Sequence, residues 1–191
     1  MEAGELIFIT GGARSGKSSF AEKYAIAEAE AKKSSLHYIA TSKPSDEEMR
    51  QRIKRHQRDR EKSEYPWETW ECPLDLHKIV PHFKQSDIIL LDCLTVLLSN
   101  ELFREGQTND NRSNRQNVYH SILDGIFFLA DTVETLIIVS NEVLTEPMSD
   151  KTMVRSYSHL LGRLHQAIVQ HAGKAYLVEA GIPILMKERS C

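Results

Sequence analysis

The chain is poor in the features that would assign it to a specialised class of protein. It has no uninterrupted apolar run of about 18 residues, so no membrane-spanning helix is predicted, and no charged-then-apolar leader that would predict a signal peptide. Its three cysteines, Cys72, Cys93 and Cys191, are far apart and in no metal-binding spacing. A formal net charge of −3 gives no reason to expect affinity for nucleic acid or an acidic membrane. We therefore expect a cytoplasmic protein with incidental thiols.

What the chain does have is an ordinary globular composition. Hydrophobic residues make up 41% of its 191 residues, and charged residues make up 27%. This length suffices for one α/β unit with a sizeable core. Residues 1–191 are therefore expected to form a single domain.

The most informative pattern lies near the N-terminus. Residues 11–18 read GGARSGKS, which fits the phosphate-binding loop pattern GxxxxGKS over its full spacing. The β-prone residues 6–10 precede this loop, and a stretch with few helix breakers follows it. In such a unit, backbone N–H groups and the positive end of the helix dipole bind phosphate oxygens. The pattern predicts a nucleoside triphosphate ligand, with Lys17 at its β- and γ-phosphates and the Ser18 hydroxyl on Mg²⁺.

Strand and helix patterns alternate along the rest of the chain. Apolar runs predict strands at residues 36–41, 88–92, 136–140 and 175–178, with a further short strand near 184–186. Helices are expected over residues 18–33, 46–60, 94–101, 118–131 and 152–171, and a mobile loop over 104–117. In the first helix the pattern places Phe20, Tyr24, Ala27 and Ala31 on one face. The alternation predicts an α/β, P-loop nucleoside triphosphatase type of three-layer fold with a mainly parallel central sheet.

Polar residues at the ends of four predicted strands are expected to meet at one site. Ligands of such sheets bind at the carboxyl ends of the strands, and Thr10, Thr41, Asp92 and Asn141 lie at or just past those ends. Asp92 has two interpretations, as a ligand of Mg²⁺ or as a cap of the helix that follows it. Beside a complete phosphate loop, the metal role is favoured.

His56 lies in the predicted polar helix, among several arginines. Neighbouring cations favour the neutral, nucleophilic imidazole and attract a phosphate, which suits a covalent histidine–nucleotide intermediate. A solvated surface histidine fits the same residues, and seven other histidines compete with it. Residue chemistry alone leaves both interpretations open.

Several motifs taken together resemble one family, the bifunctional adenosylcobinamide kinase / adenosylcobinamide-phosphate guanylyltransferases of cobalamin biosynthesis. The resemblance covers nearly the whole chain. Its motifs are the loop at residues 10–18, YIATS at 38–42, DEEM at 46–49 followed by Arg52, Ile53 and His56, WxTxExP at 67–73, LDCLT at 91–95 with Asn100, NEV at 141–143, and Gly162-Arg163.

The resemblance implies a kinase and a guanylyltransferase that use GTP and ATP as substrates, Mg²⁺ as cofactor and adenosylcobinamide as acceptor. It implies that His56 is the guanylylated histidine. For the phosphoryl transfer, the loop pattern and the strand end lead us to expect that Lys17 is also catalytic and that Ser18 and Asp92 hold the metal. The resemblance also implies a homotrimer. The nucleotide-contacting residues that it implies are Gly11, Gly12, Ala13, Arg14, Ser15, Gly16, Lys17, Ser18, Ala40, Thr41, Ser42, Gln57, Arg58, Asp59, Arg60, Glu71 and Asp92.

The chain also departs from the family's pattern. Residues 144–149 (LTEPMS) replace a glycine-rich stretch, His159 replaces a usual aspartate, and Glu61 replaces a common proline. Loss of glycine changes where the backbone can approach a ligand. Two alternatives therefore stay open: a small-molecule kinase without guanylyl transfer, and a degenerate nucleotide-binding relative.

Overall fold

The computed structural model describes residues 4–42, 51, 54, 58, 60, 63, 65–104, 112–142 and 151–189. The strands of this part of the chain are β1 (Glu5–Gly11), β2 (Leu36–Ala40), β3 (Trp67–Glu71), β4 (Ile88–Asp92), β5 (Thr135–Asn141), β6 (Lys174–Glu179) and β7 (Ile182–Glu188). Its α-helices are α1 (Lys17–Lys32), α2 (Leu94–Leu102), α3 (Arg112–Thr132) and α4 (Lys151–His171). Short 3-10 segments cover Leu76–Lys78 and Val80–His82.

All seven strands join in one sheet, in the order β3-β2-β4-β5-β1-β6-β7. Every neighbouring pair is parallel except β6 and β7, which form an antiparallel hairpin. The register sets Gly11 beside Asn141, and Ala40 beside both Asp92 and Glu71. The predicted α/β fold with a mainly parallel sheet is confirmed. The last strand is longer than the one predicted near residues 184–186, because its pairing with β6 extends to both ends of the hairpin.

The sheet separates two apolar cores, which makes the fold three-layered. Ile7 and Ile9 of β1 belong to the cluster that contains alanines of α1, whereas Leu6 and Phe8 belong to the cluster formed with α2, α3 and α4. Side chains alternate along a strand in this way because its period is two residues. Among the described residues, no helix is long and apolar enough to cross a membrane.

The face that α1 buries differs from the predicted one. Ala21, Ala25 and Ala29 are fully buried, while Ala27 and Ala31 are exposed. The two rings of the predicted face, Phe20 and Tyr24, are half-buried and pack on Tyr176 of β6, with centroids 5.2 and 5.8 Å from its ring. The small alanine side chains let the helix lie close to the sheet. Phe20 and Tyr24, which are larger, pack beside this contact rather than in it.

Helix α3 begins at Arg112, whereas a loop was predicted through residue 117. The first turns of α3 contain polar residues that pack on α4 through hydrogen bonds. The Arg115 guanidinium donates to the Ser156 hydroxyl, and Arg163 donates to Gln116 Oε1 at 3.3 Å. The prediction was wrong for residues 112–117 because absence of aliphatic residues does not prevent a helix from being held by polar contacts. Residues 105–111 lie outside the described residues.

Two other predicted features fall largely outside the described residues. Of the predicted polar helix at 46–60, residues 51, 54, 58 and 60 are helical, and the remainder, which includes His56, is not described. Residues 144–149 are not described either.

Candidate nucleotide-binding site

The phosphate loop connects the end of β1 to the start of α1, as its pattern predicts. Its backbone is closed by a hydrogen bond from Ser15 N to the Gly12 carbonyl at 3.3 Å. The first helical residue is Lys17, and Gly16 before it provides no side chain to cap the helix. The Ser15 hydroxyl is buried and has no hydrogen-bond partner among the described residues. A loop of this shape presents backbone N–H groups and a helix N-terminus to an anion.

The hairpin of β6 and β7 supports this loop from the side. Gly181 N donates to the Ser15 carbonyl at 2.8 Å. Gly16 and Gly181 both have left-handed backbones, with φ of 90° and 80°, which only glycine adopts readily. A Cβ atom on Gly16 would lie 3.1 Å from Gly181 Cα. Sequence reasoning missed Gly181, whose signal was an Ala-Gly pair between two apolar runs.

Lys17 and Ser18 occupy the first turn of α1. Lys17 is 5% exposed, and its Nζ donates to the Gly12 carbonyl at 3.0 Å. The lysine therefore places a positive charge against the inner side of the loop, where a phosphate would be held. Ser18 follows it and is half-buried.

The structure brings the four predicted strand-end residues to one edge of the sheet. Thr10 and Asn141 lie on the neighbouring strands β1 and β5, and Asn141 Nδ2 donates to Thr95 Oγ1 at 3.1 Å. The Thr41 hydroxyl donates to the Asp92 carbonyl at 3.1 Å. The carboxyl edge of the sheet thus gathers these side chains beside the phosphate loop.

Asp92 does not act as the cap that its position at the end of a strand also suggested. The N-cap of α2 is Cys93, and no side chain makes a capping hydrogen bond there. The Asp92 carboxylate instead accepts a hydrogen bond from the Tyr38 hydroxyl, with 3.0 Å between Oδ2 and the phenolic oxygen. Burial, reinforced by this carboxylate, raises the pKa of Tyr38 well above its usual range, so the phenol stays a donor at neutral pH.

Thr41 supports the end of β4 and is itself fully buried. Its one hydroxyl hydrogen is shared between the carbonyls of Asp92 and Cys93, which lie 3.1 and 2.9 Å from Oγ1, and the hydroxyl oxygen accepts from Cys93 N at 2.8 Å. Its own carbonyl accepts from Asn100 Nδ2 at 2.9 Å. These contacts fix the backbone on both sides of the bond between Asp92 and Cys93, so the threonine hydroxyl points into the protein.

Arg60 and Arg58, from the predicted polar helix, have different surroundings. Arg58 is exposed. Arg60 is 7% exposed, with its guanidinium carbon 3.6 Å from the centroid of the Tyr38 ring. It also pairs with Glu22 of α1, with 3.4 Å between Nη1 and Oε1. Arg60 thus lies beside the candidate site, held by Tyr38 and Glu22.

The other residues implied by the resemblance fall into three groups. Ala40 and Ser42 are half-buried at the carboxyl end of β2, and Glu71 is exposed at the end of β3. Ala13 and Arg14 are exposed in the phosphate loop. His56, Gln57 and Asp59 lie outside the described residues.

A second polar pair, which sequence reasoning missed, lies on the α4 side of the sheet. Ser140 Oγ and His165 Nε2 are 2.7 Å apart, and the imidazole packs edge-on against Phe8 with 5.0 Å between ring centroids. Burial lowers the pKa of His165 to about 4, so its ring is neutral at pH 7. Nothing in the sequence distinguishes this histidine from the other seven, because its partner is 25 residues away.

Comparisons with known proteins agree with this geometry. The family model described as cobinamide kinase / cobinamide phosphate guanyltransferase matches residues 7–186. The bifunctional adenosylcobalamin biosynthesis protein CobU of Salmonella typhimurium is 32% identical over 188 residues, which are 95% of this chain and 99% of that protein. CobP of Pseudomonas aeruginosa, named in the same way, is 32% identical over 180 residues, 94% of this chain and 95% of its own.

Solved structures resemble the chain at the level of the fold. A KaiC-like protein from Pyrococcus horikoshii has a TM-score of 0.52 and 13% identity, with 100% of this chain and 82% of that chain covered. The flagellar accessory protein FlaH from Methanocaldococcus jannaschii has a TM-score of 0.51 and 13% identity, with 99% and 80% covered. Together with the sheet topology, these matches confirm the predicted P-loop nucleoside triphosphatase type of fold.

Proposed function

Because the chain belongs to the cobinamide kinase / cobinamide phosphate guanyltransferase family, we propose that it performs two successive transfers. In the first, a nucleoside triphosphate phosphorylates the aminopropanol hydroxyl of adenosylcobinamide. In the second, His56 attacks the α-phosphate of GTP and releases pyrophosphate. The GMP then passes from the histidine to adenosylcobinamide phosphate, which yields adenosylcobinamide-GDP.

The observation that carries this proposal is the phosphate loop, in a chain that the family model matches over residues 7–186. Lys17 is buried against the loop, where its charge opposes the negative charge on a transferring phosphoryl group. Phosphoryl transfer depends mainly on positioning and charge stabilisation, and Gly11 to Ser18 supply both.

We propose that Ser18 and Asp92 hold a Mg²⁺ ion. A hydroxyl and a carboxylate are the hard oxygen ligands that this ion prefers. When bound, the ion neutralises charge that develops on the phosphate oxygens. Asp92 suits this role because its carboxylate lies at the end of β4 and is oriented by Tyr38.

We propose nucleotide contacts from the phosphate loop and from the carboxyl ends of β2 and β3. The loop residues Gly11, Gly12, Ala13, Arg14, Ser15 and Gly16 would surround the phosphates. Ala40, Ser42 and Glu71 share the same edge of the sheet, which supports a contact with the rest of the nucleotide. We assign Thr41 a supporting role through its buried hydroxyl. Arg58 and Arg60, together with Gln57 and Asp59, are proposed to contact the guanine nucleotide in the second reaction.

We also propose a homotrimer in the cytoplasm. The edge strand β7 supports self-association, because Ile182, Ile184 and Met186 are 64%, 43% and 64% exposed on it. Exposed apolar edge strands in monomers promote unwanted pairing, so natural proteins usually cover them. Two buried free thiols, Cys72 and Cys93, fit a reducing compartment. Light scattering of the purified chain measures the oligomeric state.

Label transfer tests the second reaction. With GTP and Mg²⁺, α-labelled GTP should leave covalent GMP on the protein, whereas γ-labelled GTP should not. The bond should be a phosphoramidate, labile in acid and stable in base. His56→Ala should abolish the label but retain nucleotide binding, while His120→Ala, at an exposed histidine of α3, serves as the matched control.

The outcome separates the proposal from its alternatives. Label that persists in His56→Ala contradicts the role of this histidine. Phosphorylated adenosylcobinamide without any protein label identifies a plain kinase. GTP binding without turnover of adenosylcobinamide identifies a degenerate relative. Chromatography of the products from adenosylcobinamide, GTP and Mg²⁺ distinguishes these cases.

A further inference from the structure

Tyr38 lies directly beside the carboxylate that the proposed function assigns to the metal. Its side chain is 6% exposed, and its hydroxyl donates to Asp92 Oδ2 at 3.0 Å. The two residues are 54 positions apart in the chain and meet because β2 and β4 are neighbouring strands. A carboxylate at a strand end can rotate about two side-chain bonds, and this hydrogen bond restricts both rotations.

Two neighbouring side chains contact the tyrosine ring, and a third holds one of them. The Arg60 guanidinium carbon lies 3.6 Å from the centre of the ring, and Trp67 packs edge-on against it with 6.1 Å between centroids. Glu22 holds Arg60 in turn at 3.4 Å. A cation over an aromatic face is attracted to it, and more strongly when both groups are removed from water. The phenol is therefore held rigidly as well as being a permanent donor.

We propose that Tyr38 is a positioning residue for phosphoryl transfer, which acts by orienting the Asp92 carboxylate toward the nucleotide-bound metal. This inference rests on the proposed function, in which Asp92 holds Mg²⁺. Misplacement of a reacting or coordinating group by about 1 Å can cost a hundredfold in rate, so orientation of this carboxylate matters. Arg60 contributes by fixing the ring.

The test removes one oxygen atom. Tyr38→Phe keeps the ring under Arg60 and deletes only the hydroxyl. Tyr65→Phe is the matched control, because the Tyr65 hydroxyl is also tied inside the protein, to the carbonyls of Ala29 and Ser34 at 3.1 and 2.5 Å. These carbonyls lie in the last turn of α1 and just before β2, so they are at the amino ends of the strands, whereas Asp92 is at the carboxyl end of β4.

Tyr38→Phe should lower the turnover number for adenosylcobinamide phosphorylation about tenfold, the scale of one hydrogen bond to a charged group. It should also reduce the gain in GTP affinity that Mg²⁺ provides over EDTA, while the affinity in EDTA stays at the wild-type value. Tyr65→Phe should change neither quantity. In an Asp92→Asn background, Tyr38→Phe should cause no further loss, because it acts through that carboxylate.

Several results would overturn the inference. These are a Tyr38→Phe variant that matches Tyr65→Phe, or losses that simply add in the double variant with Asp92→Asn. If Tyr38→Phe fails to fold, Arg60→Gln releases the ring but keeps the hydroxyl, and an unchanged Mg²⁺ gain in that variant counts against the proposal. If the wild type phosphorylates no adenosylcobinamide, the proposed function fails, and Mg²⁺-dependent GTP binding still decides the role of Tyr38.

Discussion

Two adjacent glycines of the phosphate loop have opposite surroundings, and the difference predicts opposite effects of one methyl group. A Cβ atom on Gly11 would lie 2.4 Å from the Val178 carbonyl oxygen in β6 and 2.6 Å from Ser15 Oγ, where ordinary contact begins at 3.4 Å. A Cβ atom on Gly12 would meet no atom of the described residues within 4 Å. Gly11→Ala must therefore move β1 away from β6 or displace the loop, whereas Gly12→Ala requires neither.

The magnitudes follow from packing. Forcing an extra methyl group into a filled site costs about 1–3 kcal/mol in the free energy of unfolding, which is expected for Gly11→Ala. For a domain of this size, each kcal/mol lowers the melting temperature by roughly 2–4 °C. The backbone φ of Gly12 lies outside the left-handed region. Gly12→Ala should therefore keep the wild-type stability or gain up to about 1 kcal/mol, because alanine restricts the unfolded chain.

Nucleotide binding should weaken in both variants, whereas stability should fall only in Gly11→Ala. In the part of the chain that the structure describes, no atom lies within 4 Å of a Cβ placed on Gly12, and we propose that the phosphates approach the backbone there. Gly12→Ala should thus weaken GTP binding without loss of stability, while Gly11→Ala weakens both because Ser15 must move.

Urea unfolding followed by the fluorescence of Trp67 and Trp70, together with calorimetric titration of GTP, measures the two quantities. If Gly11→Ala is as stable as the wild type, or if Gly12→Ala is destabilised as much as Gly11→Ala, the described loop geometry is refuted.

The remaining predictions concern charge. Lys17→Ala should leave the fold intact but weaken phosphoryl transfer by roughly 2.7–4 kcal/mol, the loss typical of one preorganised electrostatic group, and Lys23→Ala, on the exposed side of α1, is the control in a single-turnover assay. A Lys17→Ala variant with near wild-type turnover would count heavily against the proposed function. The free energy of unfolding should decrease as the pH is lowered, because the pKa of His165 is about 4 in the folded protein against 6.5 in the unfolded chain. Because the unfolded chain binds the proton first, the contribution is present above pH 6.5 and lost as the pH falls toward 4, by roughly 3 kcal/mol. In His165→Gln, which can retain a hydrogen bond to Ser140, the urea midpoint of unfolding should depend less on pH between 6.5 and 4 than it does in the wild type. An unchanged pH dependence would show that this histidine does not titrate as described.

The parts of the fold that sequence predicts well are those that depend on short patterns. The loop at residues 11–18 has its fixed residues within eight positions, and each has a backbone or charge requirement that few other residues meet. The buried strands 88–92 and 136–140 are recognisable because both of their faces are covered, so they read as unbroken apolar runs. Their alternation with helices then constrains the topology.

The parts that sequence predicts poorly depend on what a side chain meets. The small alanines of helix α1 let it lie close to the sheet, so the face predicted from Phe20 and Tyr24 is not the most deeply buried one. Helix α3 begins in a polar stretch because Arg115 bonds Ser156 on another helix. Tyr38 meets Asp92 across 54 residues, and no local spacing signals that contact.

Thr41 shows why a shared motif does not by itself reveal what a residue does. The resemblance places it among nucleotide contacts, yet its hydroxyl is fully buried and is bonded to the backbone around Asp92 and Cys93. Substituting a residue that fixes the end of β4, where we propose that Asp92 holds the metal, should displace the phosphates just as substituting a residue that touches the ligand does. Motif residues near this site therefore divide into those proposed to face the nucleotide, such as Lys17, and those that hold the carboxyl ends of the strands in place. Only the direction of the side chain separates the two groups, and Tyr38 and Thr41 belong to the second.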